Sequence, residues 1–164
     1  MKPLHLAVIA AVVAVIAVAG ILLYVNLAVP RIEIHSPFFR RGTMASGVFF
    51  IAHNHGLAEG CIVGAEVLNP PNQRVEMHRT VIQEGKAAMV PVAKICVPAG
   101  GEVKALGIEG EGYHLMIVTK LPEDAKTVKI RIYLDNGSSL EFDAVEQELE
   151  APPGGHHGSG HGGH

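Results

Sequence analysis

Eight short strand-like runs follow one another through most of this chain: "GVFFIAH", "CIVGAEVL", "RVEMHRTVI", "AAMVPVAKICV", "EVKALGI", "YHLMIVTKL", "TVKIRIYLD" and "SLEFDAVEQEL". Gly, Pro and Asn punctuate them, and Asn136-Gly137 between two alternating runs is a strong hairpin signal. No segment among them keeps a helical period. Many short strands at this spacing specify an all-β domain, a β-sandwich. A further strand is expected over Arg31–His35, followed by a loop through "SPFFRRGTMAS".

Ahead of the strands, 24 residues from Leu6 to Val29 carry no charge. At about 1.5 Å per residue such a run crosses a hydrocarbon core of about 30 Å as a transmembrane helix. A signal peptide cut after Ala17-Val18-Ala19 is the competing reading, but apolar residues continue ten positions past that triplet, which favours a retained anchor. Lys2 favours a cytoplasmic start, and Arg31, Arg40 and Arg41 oppose it. The domain is expected on the extracytoplasmic side, periplasmic or extracellular, because long segments translocate largely regardless of flanking charge. The expected organisation is residues 1–29 as anchor, 30–150 as the domain, and 151–164, "APPGGHHGSGHGGH", as a disordered His-rich tail unable to build a core.

The charge balance, 13 basic against 16 acidic residues, lacks the long basic run of a nucleic-acid footprint. The two cysteines, Cys61 and Cys96, belong to no C-x-x-C motif. In an extracytoplasmic compartment they are expected as a disulfide, the alternative being two separate thiols.

Chemistry enters with "GYHLMIVTK". On a strand His114 and Met116 share one face, and Tyr113, Leu115 and Ile117 share the other. An imidazole beside a thioether suits Cu(I) better than zinc, calcium or magnesium. The segment "VEMHRTVIQEGKAAMVPV" reads as a hairpin turning at Glu84-Gly85, which sets Thr80 opposite Met89 and His78 opposite Pro91. His78 and Met89 are then diagonal neighbours on one face, about 7–8 Å apart and within reach of a shared ion. If this hairpin lies beside the strand of His114, four ligands converge as a His₂Met₂ set.

These residues carry a resemblance. The succession "FFIAHNHG", "GCIVGAEV", "RVEMHRTVIQEGKAAMVPV", "ICVPAGGEVKAL", "GYHLMIVTKL" and "LDNGSSLEF" resembles the PCu(A)C family of periplasmic copper chaperones over roughly residues 36–145. That family's signature is a histidine, ten residues, a methionine, about twenty-one residues, then His-x-Met. Here His78 and Met89 enclose ten residues, and His114-Leu115-Met116 closes the pattern after twenty-four. The excess falls in "GIEGEG", a loop that can lengthen without moving the strand. The resemblance implies a cupredoxin-like sandwich holding copper as Cu(I). It also implies delivery to an acceptor such as the dinuclear CuA centre in subunit II of cytochrome c oxidase, alongside a thioredoxin-like copper protein. His53 and His55 stand where the family more often has small polar residues; they are read as loop histidines flanking a turn, with a metal contact as the alternative.

The tail histidines His156, His157, His161 and His164 lie among glycines without sulfur, a donor set suited to Cu(II). No enzyme is expected: neither G-x-S-x-G nor H-E-x-x-H occurs. A blue-copper carrier needs a cysteine thiolate close to a histidine and a methionine in its ligand loop, and neither cysteine has that setting. The alternative to a chaperone is a structural sandwich serving adhesion or assembly, which leaves His114 beside Met116 unexplained.

Overall fold

The computed structural model describes residues 3–148. The tail histidines therefore lie outside the described residues. Helix α1 spans Pro3–Leu27, and its segment Ala7–Asn26 is long and apolar enough to cross a membrane. Arg31 donates to the carbonyl of Asn26 (3.1 Å) where the chain leaves the helix.

Ten strands follow: β1 (Ile32–Arg41), β2 (Ser46–Asn54), β3 (Gly60–Asn69), β4 (Val75–Gln83), β5 (Lys86–Pro91), β6 (Ile95–Val97), β7 (Glu102–Ala105), β8 (Tyr113–Ile117), β9 (Thr127–Leu134) and β10 (Ser139–Glu146). Hydrogen bonding links them in the order β5-β4-β8-β2-β1-β10-β9-β3-β6, with β7 pairing β2 beyond the end of β8. The sheet closes on itself, since β6 lies against β2 and β7 although it ends the opposite edge. One core results. Val48, Phe50 and Ala52 from β2 meet Ile130 and Ile132 from β9 and Ile62 from β3, all fully buried. Each such large side chain contributes roughly 1.5–3 kcal/mol relative to leaving it in water.

Strand β2 shows the required alternation, with even-numbered residues inward and Gly47, Phe49, Ile51 and His53 outward. The turn at Glu84-Gly85 adopts left-handed φ angles of 52° and 77°, so β4 and β5 form the expected hairpin.

Two expectations need correction. Strand β1 does not stop at His35 but resumes after an irregularity at Ser36 (φ 49°) and Pro37 and runs to Arg41. Pro37 offers no N–H to the ladder, so it sits in the bulge, and the extra residue turns Phe39 into the core. The run "AAMVPVAKICV" is two strands. Pro91 ends β5, and the chain crosses so that β6 pairs β3. There Cys61 faces Cys96 in register with their sulfurs 2.08 Å apart, a disulfide.

At the other end of β1, Arg41 holds the loop before β9. It donates to the carbonyls of Pro122 (3.0 Å) and Ala125 (2.7 Å) and to Glu146 (2.7 Å), whose other oxygen binds Lys126 (2.8 Å). Arg41 first, and then Lys126, hold the Glu146 carboxyl below its ordinary 4.5. A lowered folded-state value means that this stabilisation is complete above about pH 4.5 and is lost as pH falls through the folded value. Glu146→Gln is therefore expected to be less stable at pH 7 and to lose less stability between pH 5 and pH 3. Parallel acid-dependent losses in urea melts of both proteins would rule this out.

Candidate metal centre

Strands β4 and β8 are antiparallel neighbours, and His78 stands directly opposite His114. Residues facing each other across such a pair share a sheet face, so Glu76, opposite Met116, and Thr80, opposite Met89 on β5, belong to this face too. The hairpin register is the one expected: His78 with Pro91 and Thr80 with Met89. His78 and His114 sit at the centre with ring centroids 6.0 Å apart. Met116 and Met89 flank them diagonally on opposite sides. Leu115 and Ile117, on the reverse face, are fully buried in the core and fix the strand.

His114 is only 3% exposed. Phe49 stacks beside it (5.9 Å), and the turn Gly107–Glu109 helps to cover it. A cleft of about 250 Å³ remains, lined by Arg40, Phe49, Thr80, Met89, Ile108 and His114. Met116 is half-buried, whereas Met89 is 60% exposed. Met44 points into solvent at 79% exposure and does not line this cleft.

Hydrogen bonds orient both imidazoles. His114 Nδ1 lies 3.2 Å from the Gly112 carbonyl, which only accepts, so Nδ1 carries the proton and Nε2 keeps its lone pair. Burial pushes the His114 pKa down, the nearby His78 adds to the effect, and the Gly112 bond opposes both. Neutral His114 is thus a ready donor. Gly112 adopts φ 88°, where a Cβ would lie 2.5 Å from the Thr80 carbonyl, so only glycine fits. His78 Nε2 donates to Glu76 (3.0 Å), which turns Nδ1 away from that carboxylate. That Nδ1 is buried and has no hydrogen-bond partner.

An orphaned imidazole nitrogen whose other nitrogen is held by a carboxylate is the arrangement of a metal-ligating histidine. The donors that share this face, the imidazoles of His78 and His114 and the thioethers of Met89 and Met116, are of the types that suit a soft ion. The bond from His78, with help from Arg74, holds the Glu76 carboxyl below its ordinary range, so the anion is maintained. Sequence reasoning missed Glu76, Phe49 and Arg40. Arg40 stacks over Phe38 (5.2 Å) and Phe49 (5.7 Å) and pairs with Glu109 (3.7 Å), which lines the cleft beside it. The alternation of Glu76 with His78 was the available signal. Its meaning required His78 to be turned by a neighbour.

Comparison with solved structures defines the class. The fold is that of the PCuAC domains, cupredoxin-like. The copper-bound PCuAC domain from PmoF2 aligns with TM-score 0.55 and 16% identity over 74% of this chain and 97% of that one. The apo form of that domain gives 0.56 and 16%, covering 76% and 95%, and the apo PCuAC domain from PmoF1 gives 0.54 and 14%, covering 72% and 94%. No curated protein matches the chain. The family model described as "Putative lipoprotein LpqE-like" matches residues 24–146, and the chain belongs to this LpqE-like family.

Exchange of Glu76 for glutamine preserves shape but removes the charge that holds His78. Loss of such an outer partner is expected to weaken metal binding roughly 10- to 100-fold. Chelator competition with Cu(I) measures it, and an unchanged affinity would reduce Glu76 to a partner of Arg74.

Proposed function

We propose that this protein is a membrane-anchored, extracytoplasmic copper carrier that holds Cu(I) through His78, Met89, His114 and Met116 and passes it to an acceptor protein. One observation carries the reading: His78 Nδ1 is buried without a partner on the face shared by His114, Met89 and Met116. An unsatisfied buried polar atom costs about 1–3 kcal/mol, and an ion held at His78 Nδ1 removes that cost. The copper-bound state of the PmoF2 domain, which shares the fold, supports copper as the cargo.

Transfer follows from the unequal burial of the ligands. His114 is enclosed, while Met89 is exposed on edge strand β5. An incoming thiolate or imidazole can displace Met89 first while the enclosed histidine still holds the ion. No substrate bond is made or broken, so the protein carries rather than catalyses. The acceptor is a copper-enzyme centre that takes up Cu(I) by ligand exchange, such as the CuA centre of cytochrome c oxidase, with a thioredoxin-like copper protein as a further partner. The helix is retained as the anchor.

Anaerobic titration of the purified protein with Cu(I) against a chromophoric chelator tests the reading. One tight equivalent that withstands loss of the tail is expected, with two sulfur and two nitrogen neighbours in X-ray absorption. A site without sulfur neighbours would overturn it.

A further inference from the structure

A second group of histidines lies on the same outer face of the sheet, at the far end of β2. Gly47, beside Met116, and His53 are six residues apart on that strand, about 20 Å at about 3.3 Å per residue. The two regions therefore cannot share one ion. Strand pairing builds the cluster: Glu33 on β1 stands opposite His53, and His53 stands opposite Glu102 on β7. His35 follows Glu33 by two positions on the same face, and His55 follows His53 just past the end of β2.

The ligand atoms converge. His55 Nε2 lies 3.0 Å and His35 Nε2 3.6 Å from one oxygen of Glu33, and all three atoms lie within 4.8 Å of one another. Adjacent donors about 2.0–2.2 Å from an ion are roughly 2.8–3.6 Å apart across tetragonal and tetrahedral geometries, and two of the three edges already lie in that range, the 3.0 Å edge matching the tetragonal one. The ring of His53 stands 5.2 Å from that of His35 and 5.7 Å from that of His55, held by a hydrogen bond to Glu102.

The backbone beneath is fixed before any ion arrives. Asn54 is 2% exposed and uses its side chain fully. Its oxygen accepts from the N–H groups of Arg31 (3.0 Å) and Gly56 (2.9 Å), and its amide donates to the carbonyls of Ala58 (2.8 Å) and Val97 (3.2 Å). The His55 N–H donates to the Arg31 carbonyl (3.0 Å). The segments carrying Glu33, His35 and His55 are thereby tied together. The three side chains are 58%, 45% and 56% exposed, which leaves the remaining coordination positions open to solvent.

We propose that Glu33, His35 and His55, flanked by His53, form a second metal site that binds a borderline divalent cation, Cu(II) most tightly. Imidazole and carboxylate donors without sulfur select this class over Cu(I), and Cu(II) heads the affinity order of first-row divalent ions at such sites. The site is independent of the Cu(I) centre in ligands, position and oxidation state.

The test compares the full-length protein with its His35→Ala/His55→Ala double variant, titrating each with Cu(II) and following bound copper by electron paramagnetic resonance. The wild type is expected to hold one more equivalent than the variant, with equal Cu(I) affinity and circular dichroism in the two. Equal Cu(II) capacity would overturn the proposal, however much Cu(II) the tail takes up. Glu33→Gln serves as the milder variant and should weaken that equivalent by more than the roughly 10- to 100-fold lost with an outer-shell partner. An unchanged affinity there would count against the site as drawn.

Discussion

His114→Ala is expected to lower Cu(I) affinity by more than about 100-fold, because an outer partner alone accounts for 10- to 100-fold and we propose His114 as a ligand. Its enclosure at 3% exposure, beside Phe49 and the turn at Gly107–Glu109, leaves no other imidazole positioned to replace it among the residues that line the cleft. Met116→Ala should follow closely, since it removes a soft donor on the half-buried side of the centre. Met89→Ala should have the smallest effect of the methionine variants, as its 60% exposed side chain can be replaced by an external ligand. The tail behaves in the opposite sense. Deleting residues 151–164 should remove Cu(II) equivalents held by imidazole and amide nitrogen and leave Cu(I) untouched. Competition with chelators in each oxidation state measures all four variants. Loss of Cu(I) on tail deletion, with none from Met116→Ala, would make "GYHLM" a packing feature.

Breaking the Cys61–Cys96 bond is the largest expected change in stability. The cysteines are 35 positions apart, and closing a loop of that length restricts the unfolded chain by about 4 kcal/mol at 25 °C. The bond also secures an otherwise weak element. Strand β6 is three residues long and pairs only β3, yet it buries Ile95 and Val97 completely, and Val97 accepts from Asn54. Cys61→Ala/Cys96→Ala should therefore unfold at much lower guanidinium concentration, with amide exchange at residues 95–97 accelerated before the rest of the domain. Cu(I) affinity should survive, because β4 and β8 lie across the sheet from β6. A stability loss under about 1 kcal/mol would show that the entropic account fails here.

The sequence alone determined what repeats within a segment. Alternation along "GYHLMIV" assigned its two faces, Glu84-Gly85 set the hairpin register that pairs Thr80 with Met89, and the uncharged run from Leu6 to Val29 specified the helix. These are local matters of side-chain period, turn geometry and length. Tertiary structure decided which segments are neighbours. Nothing within 36 residues of chain says that β4 lies beside β8, and that adjacency alone places His78 opposite His114 and lets Glu76 matter. The irregularity in β1, the break between β5 and β6 and the gathering of Glu33, His35 and His55 belong to the same class. Each depends on closing the sheet around Phe39, Phe50, Ile62 and Ile130, because burial of one common core selects among strand pairings that local pattern leaves equivalent.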